Sequence, residues 1–91
     1  MDRYGILLSE SFKKDVKKLS EQNKKLVFDK IQIIRNDQRY QTGKVRGRKD
    51  LYKTRVNDSI RLFWKYKNDK LIIILRVGHH DIEKQRKLEK I

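Results

Sequence analysis

Residues 44–81 read KVRGRKDLYKTRVNDSIRLFWKYKNDKLIIILRVGHHD, and their alternation decides the fold. Side chains on a strand point to opposite faces in turn. In the first run Tyr52, Thr54 and Val56 share one face, and Lys53 and Arg55 the other. In the second, Ile60, Leu62, Trp64 and Tyr66 oppose Arg61, Phe63 and Lys65. The third run, Leu71 to Val77, is apolar on both faces except at Arg76, and it stops at Gly78-His79-His80. Asn57-Asp58-Ser59 and Asn68-Asp69 suit the turns between them, because Asn and Asp tolerate the backbone geometry a tight turn needs. The spacing therefore predicts an antiparallel meander, with Lys53, Arg55, Arg61 and the histidine end converging on one side.

Before this block, Asp37 to Gly47 reads as a polar connection carrying Lys44 and Arg46 towards the first strand, with Arg48 and Lys49 just beyond it. Further upstream, Tyr4-Gly-Ile-Leu-Leu8 is a short strand candidate. Ser9 can cap a helix over 9–19, in which Phe12, Val16 and Leu19 recur at helical spacing. Ser20 to Asn23 breaks that pattern, and a second helix is predicted over 22–36, burying Leu26, Val27, Ile31 and Ile34. The lysines at 13, 14, 17, 18, 24 and 25 read as solvated helix faces. Asp81 can cap a last helix over 82–91, whose apolar stripe of Ile82, Leu88 and Ile91 is thin. The fold class expected is α+β: a short N-terminal strand and helical hairpin packed on an antiparallel meander, with a short C-terminal helix. The whole of 1–91 makes one domain.

Composition narrows the partners. Lys+Arg 25 against Asp+Glu 12 gives a net charge of +13, an excess that points to an anionic partner. No run approaches a membrane span, and the opening MDRYGILLSES is too short and polar for a signal peptide, so no membrane role is expected. The absence of Cys fits a reducing cytoplasm. There is no Gly-rich phosphate loop, no nucleophile with a credible base, and no metal set: His79 and His80 are adjacent and point differently. No cofactor is called for.

Metal-free RNA cleavage remains. There the ribose 2′-OH is the nucleophile, and the protein moves protons and stabilises the charge on phosphorus. Arg suits the charge and is useless for the proton, whereas His can do either proton transfer. Lysine serves as a base only where neighbouring cations favour its neutral form, and Arg55 and Arg61 would flank Lys53. The candidate catalytic set is Lys53, Arg55, Arg61, His79 and His80. Arg55 and Arg61 clamp the phosphate, Lys53 is base or further cation, and either histidine shuttles protons. Lys44, Arg46, Arg48 and Lys49, with Phe63 and Arg76 on the strands, form the candidate nucleic-acid-binding set. The same alternation also suits a plain basic binding face.

Several of these pieces occur together, in order, in one known family. Lys44-Val-Arg-Gly47, Asp50-Leu-Tyr-Lys-Thr-Arg-Val56, Ile60-Arg-Leu-Phe-Trp64 and Arg76-Val-Gly-His-His80, preceded by two Lys- and Leu-rich helices, resemble the RelE/ParE superfamily of toxins. The likeness covers nearly the whole chain and is strongest over 44–80. RelE-like members are ribosome-dependent mRNA endonucleases acting in the ribosomal A site, each neutralised by a cognate antitoxin that wraps the toxin, often over its last helix. By position, Lys53, Arg55, Arg61 and His80 match the family's cationic and proton-transfer positions, with His79 beside them. Lys44, Arg46 and Arg48 would meet ribosomal RNA. The resemblance thus implies mRNA, ribosomal RNA and an antitoxin as partners, with a higher-order toxin–antitoxin assembly also in prospect. Many active members carry a Tyr after the Val-Gly-His segment, whereas Asp81-Ile-Glu-Lys-Gln-Arg86 has no aromatic residue. ParE-like members share the fold and poison DNA gyrase instead. Lys53, Arg55 and Arg61 favour the RelE-like branch.

Overall fold

Ser9 turns the chain from strand to helix. The computed structural model, which describes residues 3–79, places β1 at Gly5–Leu8 and α1 at Glu10–Lys17. The Ser9 hydroxyl accepts from the Phe12 N–H at 3.0 Å, satisfying one of the free donors of the first turn. Helix α2, Glu21–Asn36, starts in the same way at Ser20, whose Oγ accepts from the Asn23 N–H at 3.2 Å. The residues that break the apolar pattern are thus the cap and first turn of α2. A third, unpredicted feature follows: β2, Thr42–Lys44, lies within the stretch read as a polar connection. The meander is as expected, with β3 at Tyr52–Arg55, β4 at Ile60–Asn68 and β5 at Leu71–His79. His80 and the helix expected over 82–91 lie outside the described residues.

The sheet order is β1-β5-β4-β3-β2. β1 runs parallel to β5, from Gly5 opposite Leu71 to Leu8 opposite Ile74, and the other pairings are antiparallel. Both helices cover one face. Phe12, Val27, Ile31 and Ile34 meet Val56, Ile60, Leu62, Trp64, Ile72, Ile74 and Val77 there. The result is an α+β fold of two helices on a five-stranded mixed sheet. None of the helices in the described residues is long and apolar enough to cross a membrane.

A directed hydrogen-bond chain ties this core to the β2 edge. The Trp64 indole N–H donates to Thr54 Oγ1 at 2.8 Å, and the Thr54 and Thr42 hydroxyls lie 2.6 Å apart. Because Thr42 Oγ1 donates onward to the Tyr40 carbonyl at 2.7 Å, Thr54 must be the donor to Thr42. Thr54→Val keeps the shape and strands a fully buried indole N–H. Urea denaturation should show it about 1–3 kcal/mol less stable with an unchanged slope. Trp64→Phe, which leaves Thr54 able to donate to Thr42, should retain that hydroxyl pair.

The other face is not simply open. Val45, Leu51, Phe63 and Leu75 form a second buried cluster, with Ile73 packed beside it. Leu75 joins Ile73 there by alternation and is the extra residue of a β-bulge, since Phe63 pairs with Arg76 and Trp64 with Ile74. Beyond the bulge, β5 has outrun β1 and exposes a free edge. The Ser9 hydroxyl donates to the Leu75 carbonyl at 2.7 Å, and Asp15 Oδ2 accepts from the Val77 N–H at 3.2 Å. Asp15 also takes a two-pronged bond from Arg76, Nε to Oδ2 at 2.7 Å and Nη2 to Oδ1 at 2.8 Å. These side-chain bonds pull the guanidinium's pKa up from its ordinary value, while burial opposes them. Helix α1 thereby seals an edge that would otherwise invite another strand.

Candidate nucleic-acid interface

Pairing in the β3–β4 hairpin sets Arg55 directly opposite Arg61 and Lys53 opposite Phe63. Thr54, Val56, Ile60 and Leu62 fill the helix side, so alternation puts Lys53, Arg55 and Arg61 together on the other face. Two arginines facing each other across a strand pair repel, and this arrangement costs stability. The turn between them holds both. Arg55 pairs with Asp58, and Arg61 Nη1 donates to the Asn57 carbonyl at 2.7 Å and to that of Ile60 at 3.2 Å. Asn57 shapes the turn by accepting from the Ser59 and Ile60 N–H groups, each at 2.8 Å. One rigid hairpin therefore presents two fixed positive charges side by side.

The basic loop from Val45 to Leu51 is pinned over the same face. Its apolar ends sink into the second cluster, Val45 N–H donates to the Leu51 carbonyl at 2.8 Å, and Arg48 N–H donates to that of Val45 at 3.1 Å. Gly47, at φ 80°, supplies the left-handed backbone the loop needs. Lys44, Arg46 and Lys49 are exposed there, and the half-buried Arg48 lies 4.0 Å from Asp50. Sequence reasoning found these cations and missed their anchors, although two lone apolar residues bracketing a basic run were the available signal.

Three candidates sit elsewhere than expected. Phe63 is wholly buried beneath Val45, Leu51 and Leu75, so its ring is closed to a base. Arg76 is committed to Asp15, with 14% of its side chain exposed. His79 pairs with Ile60, a helix-face residue, so alternation sets it on the side away from the arginines, at the exposed strand end. A lysine the sequence had left unremarked adds a further cation: Lys30 of α2 donates to Gln41 Oε1 at 2.7 Å and lies 4.6 Å over the Tyr40 ring. Burial, and then the charge of Arg55, lower its pKa from the ordinary lysine value. Among the described residues no three His, Cys, Asp or Glu side chains gather as metal ligands would. The assembly can bind and stabilise a polyanion's phosphate groups.

Comparison with known proteins gives this chain a family. The model for the ParE toxin of type II toxin–antitoxin systems, parDE, matches residues 6–83. No curated relative matches the sequence. Among solved structures, a mutant of the E. coli toxin RelE in the free state is 22% identical, with a TM-score of 0.77 and 98% of each chain covered. The intact E. coli RelBE toxin–antitoxin complex gives 24% identity and a TM-score of 0.70 over 84% of this chain and 95% of that one. The YoeB dimer from Staphylococcus aureus gives 20% and 0.72 over 86% and 98%. At these identities the likeness is one of fold, and it agrees with the sequence match. This chain is a member of the ParE toxin family of type II toxin–antitoxin systems, within the RelE/ParE superfamily.

Proposed function

We propose that this toxin is a ribosome-dependent mRNA endonuclease that stops translation and is held in check by a cognate antitoxin. The observation that carries the reading is the Arg55–Arg61 pair, a costly juxtaposition placed beside Lys53 under a pinned basic loop. In the reaction the 2′-oxygen attacks phosphorus and the bond to the 5′-oxygen breaks. A cyclic phosphate and a 5′-hydroxyl result once one proton leaves the 2′-OH and another reaches the 5′-oxygen. Arg55 and Arg61 stabilise the added charge on the phosphorane oxygens and move no proton. Lys53, two residues from Arg55 on the same face, is a side chain that can exchange one. Solved toxin–antitoxin complexes of this fold, the RelBE complex among them, support an antitoxin as partner.

The match to the ParE toxin family favours a second reading, the one the resemblance to ParE-like members implies: a gyrase-directed toxin that leaves RNA intact. The two separate cleanly on induced expression followed by mapping of mRNA 5′ ends. New ends within translated regions, lost when translation is blocked, are the expected result. Intact mRNA with a DNA-damage response would transfer the assignment to gyrase. Intact mRNA with unimpaired growth would reduce the protein to a basic binding module.

A further inference from the structure

Four aromatic rings gather at the end of the sheet remote from the arginine pair. The Tyr66 ring lies 5.5 Å from Tyr4, 5.5 Å from Tyr52 and 5.1 Å from Trp64, centroid to centroid, and Tyr52 stacks on Trp64 at 4.9 Å. Trp64 is wholly buried, yet Tyr66 keeps 39% of its surface exposed. A residue this exposed, with its ring held by three others, needs little ordering when a flat ligand lands on it. The rim around it is basic. Burial, then Tyr4 and Tyr52, push the Tyr66 pKa up from its ordinary value, and Arg39 lies close enough to oppose them. Arg35 Nε donates to the Tyr4 carbonyl at 3.0 Å. Lys67, near the end of β4, and Lys70, on the β4–β5 turn, are exposed, and the Lys70 carbonyl accepts from the Gly5 N–H at 2.9 Å. Asp37 and Asp69 are the acids of this rim, outnumbered by its cations.

We propose that Tyr66, buttressed by Tyr4, Tyr52 and Trp64, is a stacking platform for an unpaired base of single-stranded RNA, whose phosphates are met by Arg39, Lys67 and Lys70. Aromatic faces interleaved with cations are what single strands bind without reading sequence. This site is separate from the arginine pair. Five residue steps along β4 separate Tyr66 from Arg61, about 17 Å at about 3.4 Å per step, and the two side chains lie on opposite faces. The inference takes its ligand class from the proposed function and does not require cleavage.

The test is fluorescence anisotropy with a short labelled oligouridylate, 2′-O-methylated so that it cannot be cut, and its abasic counterpart. Tyr66→Ala should weaken binding of the first about tenfold or more, to the level the abasic strand shows with the unaltered protein. Tyr66→Phe should retain affinity. Arg39→Glu should weaken both strands and flatten the salt dependence. Trp64, 5.1 Å from Tyr66, should report the stacked base by a change in emission that Tyr66→Ala abolishes. Arg61→Ala, which removes a phosphate contact of the clamp, should weaken both strands alike and leave the difference between them and the Trp64 response in place, so failure of the nuclease reading would be seen separately. Equal affinity for the two strands, or no effect of Tyr66→Ala in a folded protein, overturns the proposal. So does loss of binding to purified antitoxin without loss of oligonucleotide binding, which would assign the face to a protein.

Discussion

Asp15→Ala is expected to destabilise the domain by about 3–5 kcal/mol, a large share of the roughly 5–15 kcal/mol that a domain possesses. The carboxylate and its Arg76 partner are 11% and 14% exposed, so truncation leaves a guanidinium in a poorly solvated place with no counter-charge. It also strands the Val77 N–H on the edge of β5. Asp15→Asn should lose less, because an amide oxygen can still accept from Val77. A double variant, Asp15→Leu with Arg76→Met, should recover much of the loss by removing both desolvated charges. Urea midpoints measure all three. A loss below about 1 kcal/mol for Asp15→Ala would mean that water, rather than α1, satisfies this edge. The consequence reaches the candidate site, since Gly78 pairs with Arg61 just beyond the clamp.

The same bulge shows where reading alternation from sequence fails. Counted without interruption, Leu75, Val77 and His79 would share one face, the face of the cations. The extra residue at Leu75 reverses the count, so Val77 enters the helix-side core and His79 goes with it. Nothing local announces the insertion in an apolar run. Arg76 was visible as a charge within that run, but its partner lies 61 residues earlier. Ile60, Leu62 and Trp64 were legible because a half-buried strand has period two and the cations Arg61 and Lys65 mark its other face. β2 was not legible: Thr42, Gly43 and Lys44 carry no apolar signal, and they become a strand through pairing with β3 and the Thr42–Thr54 hydroxyl contact. The placement of Phe63 opposite Trp64 was correct. What covers Phe63 depends on a loop folding back, which periodicity cannot express.

Arg61→Ala is expected to lower mRNA cleavage on the ribosome by about 10²–10³-fold, the usual cost of deleting a preorganised charge stabiliser. Growth arrest on expression should go with it. The fold should survive, because two opposing terms nearly balance. Two side-chain bonds to the Asn57 and Ile60 carbonyls are lost, and the repulsion from Arg55 across the strand pair is relieved. Net stability should shift by no more than about 1 kcal/mol. Arg55→Ala should behave alike in activity, since it removes the other half of the clamp, and the pair it breaks is with the exposed Asp58. Arg61→Lys keeps the charge and loses the planar fork, so it should fall between the parent and the alanine variant. The readouts are primer extension on ribosome-bound mRNA and antitoxin capture, the second confirming that each variant is folded. Undiminished cleavage by both alanine variants would show that this repelling pair serves something other than the scissile phosphate. A parallel loss of antitoxin binding would trace the defect to the hairpin turn instead.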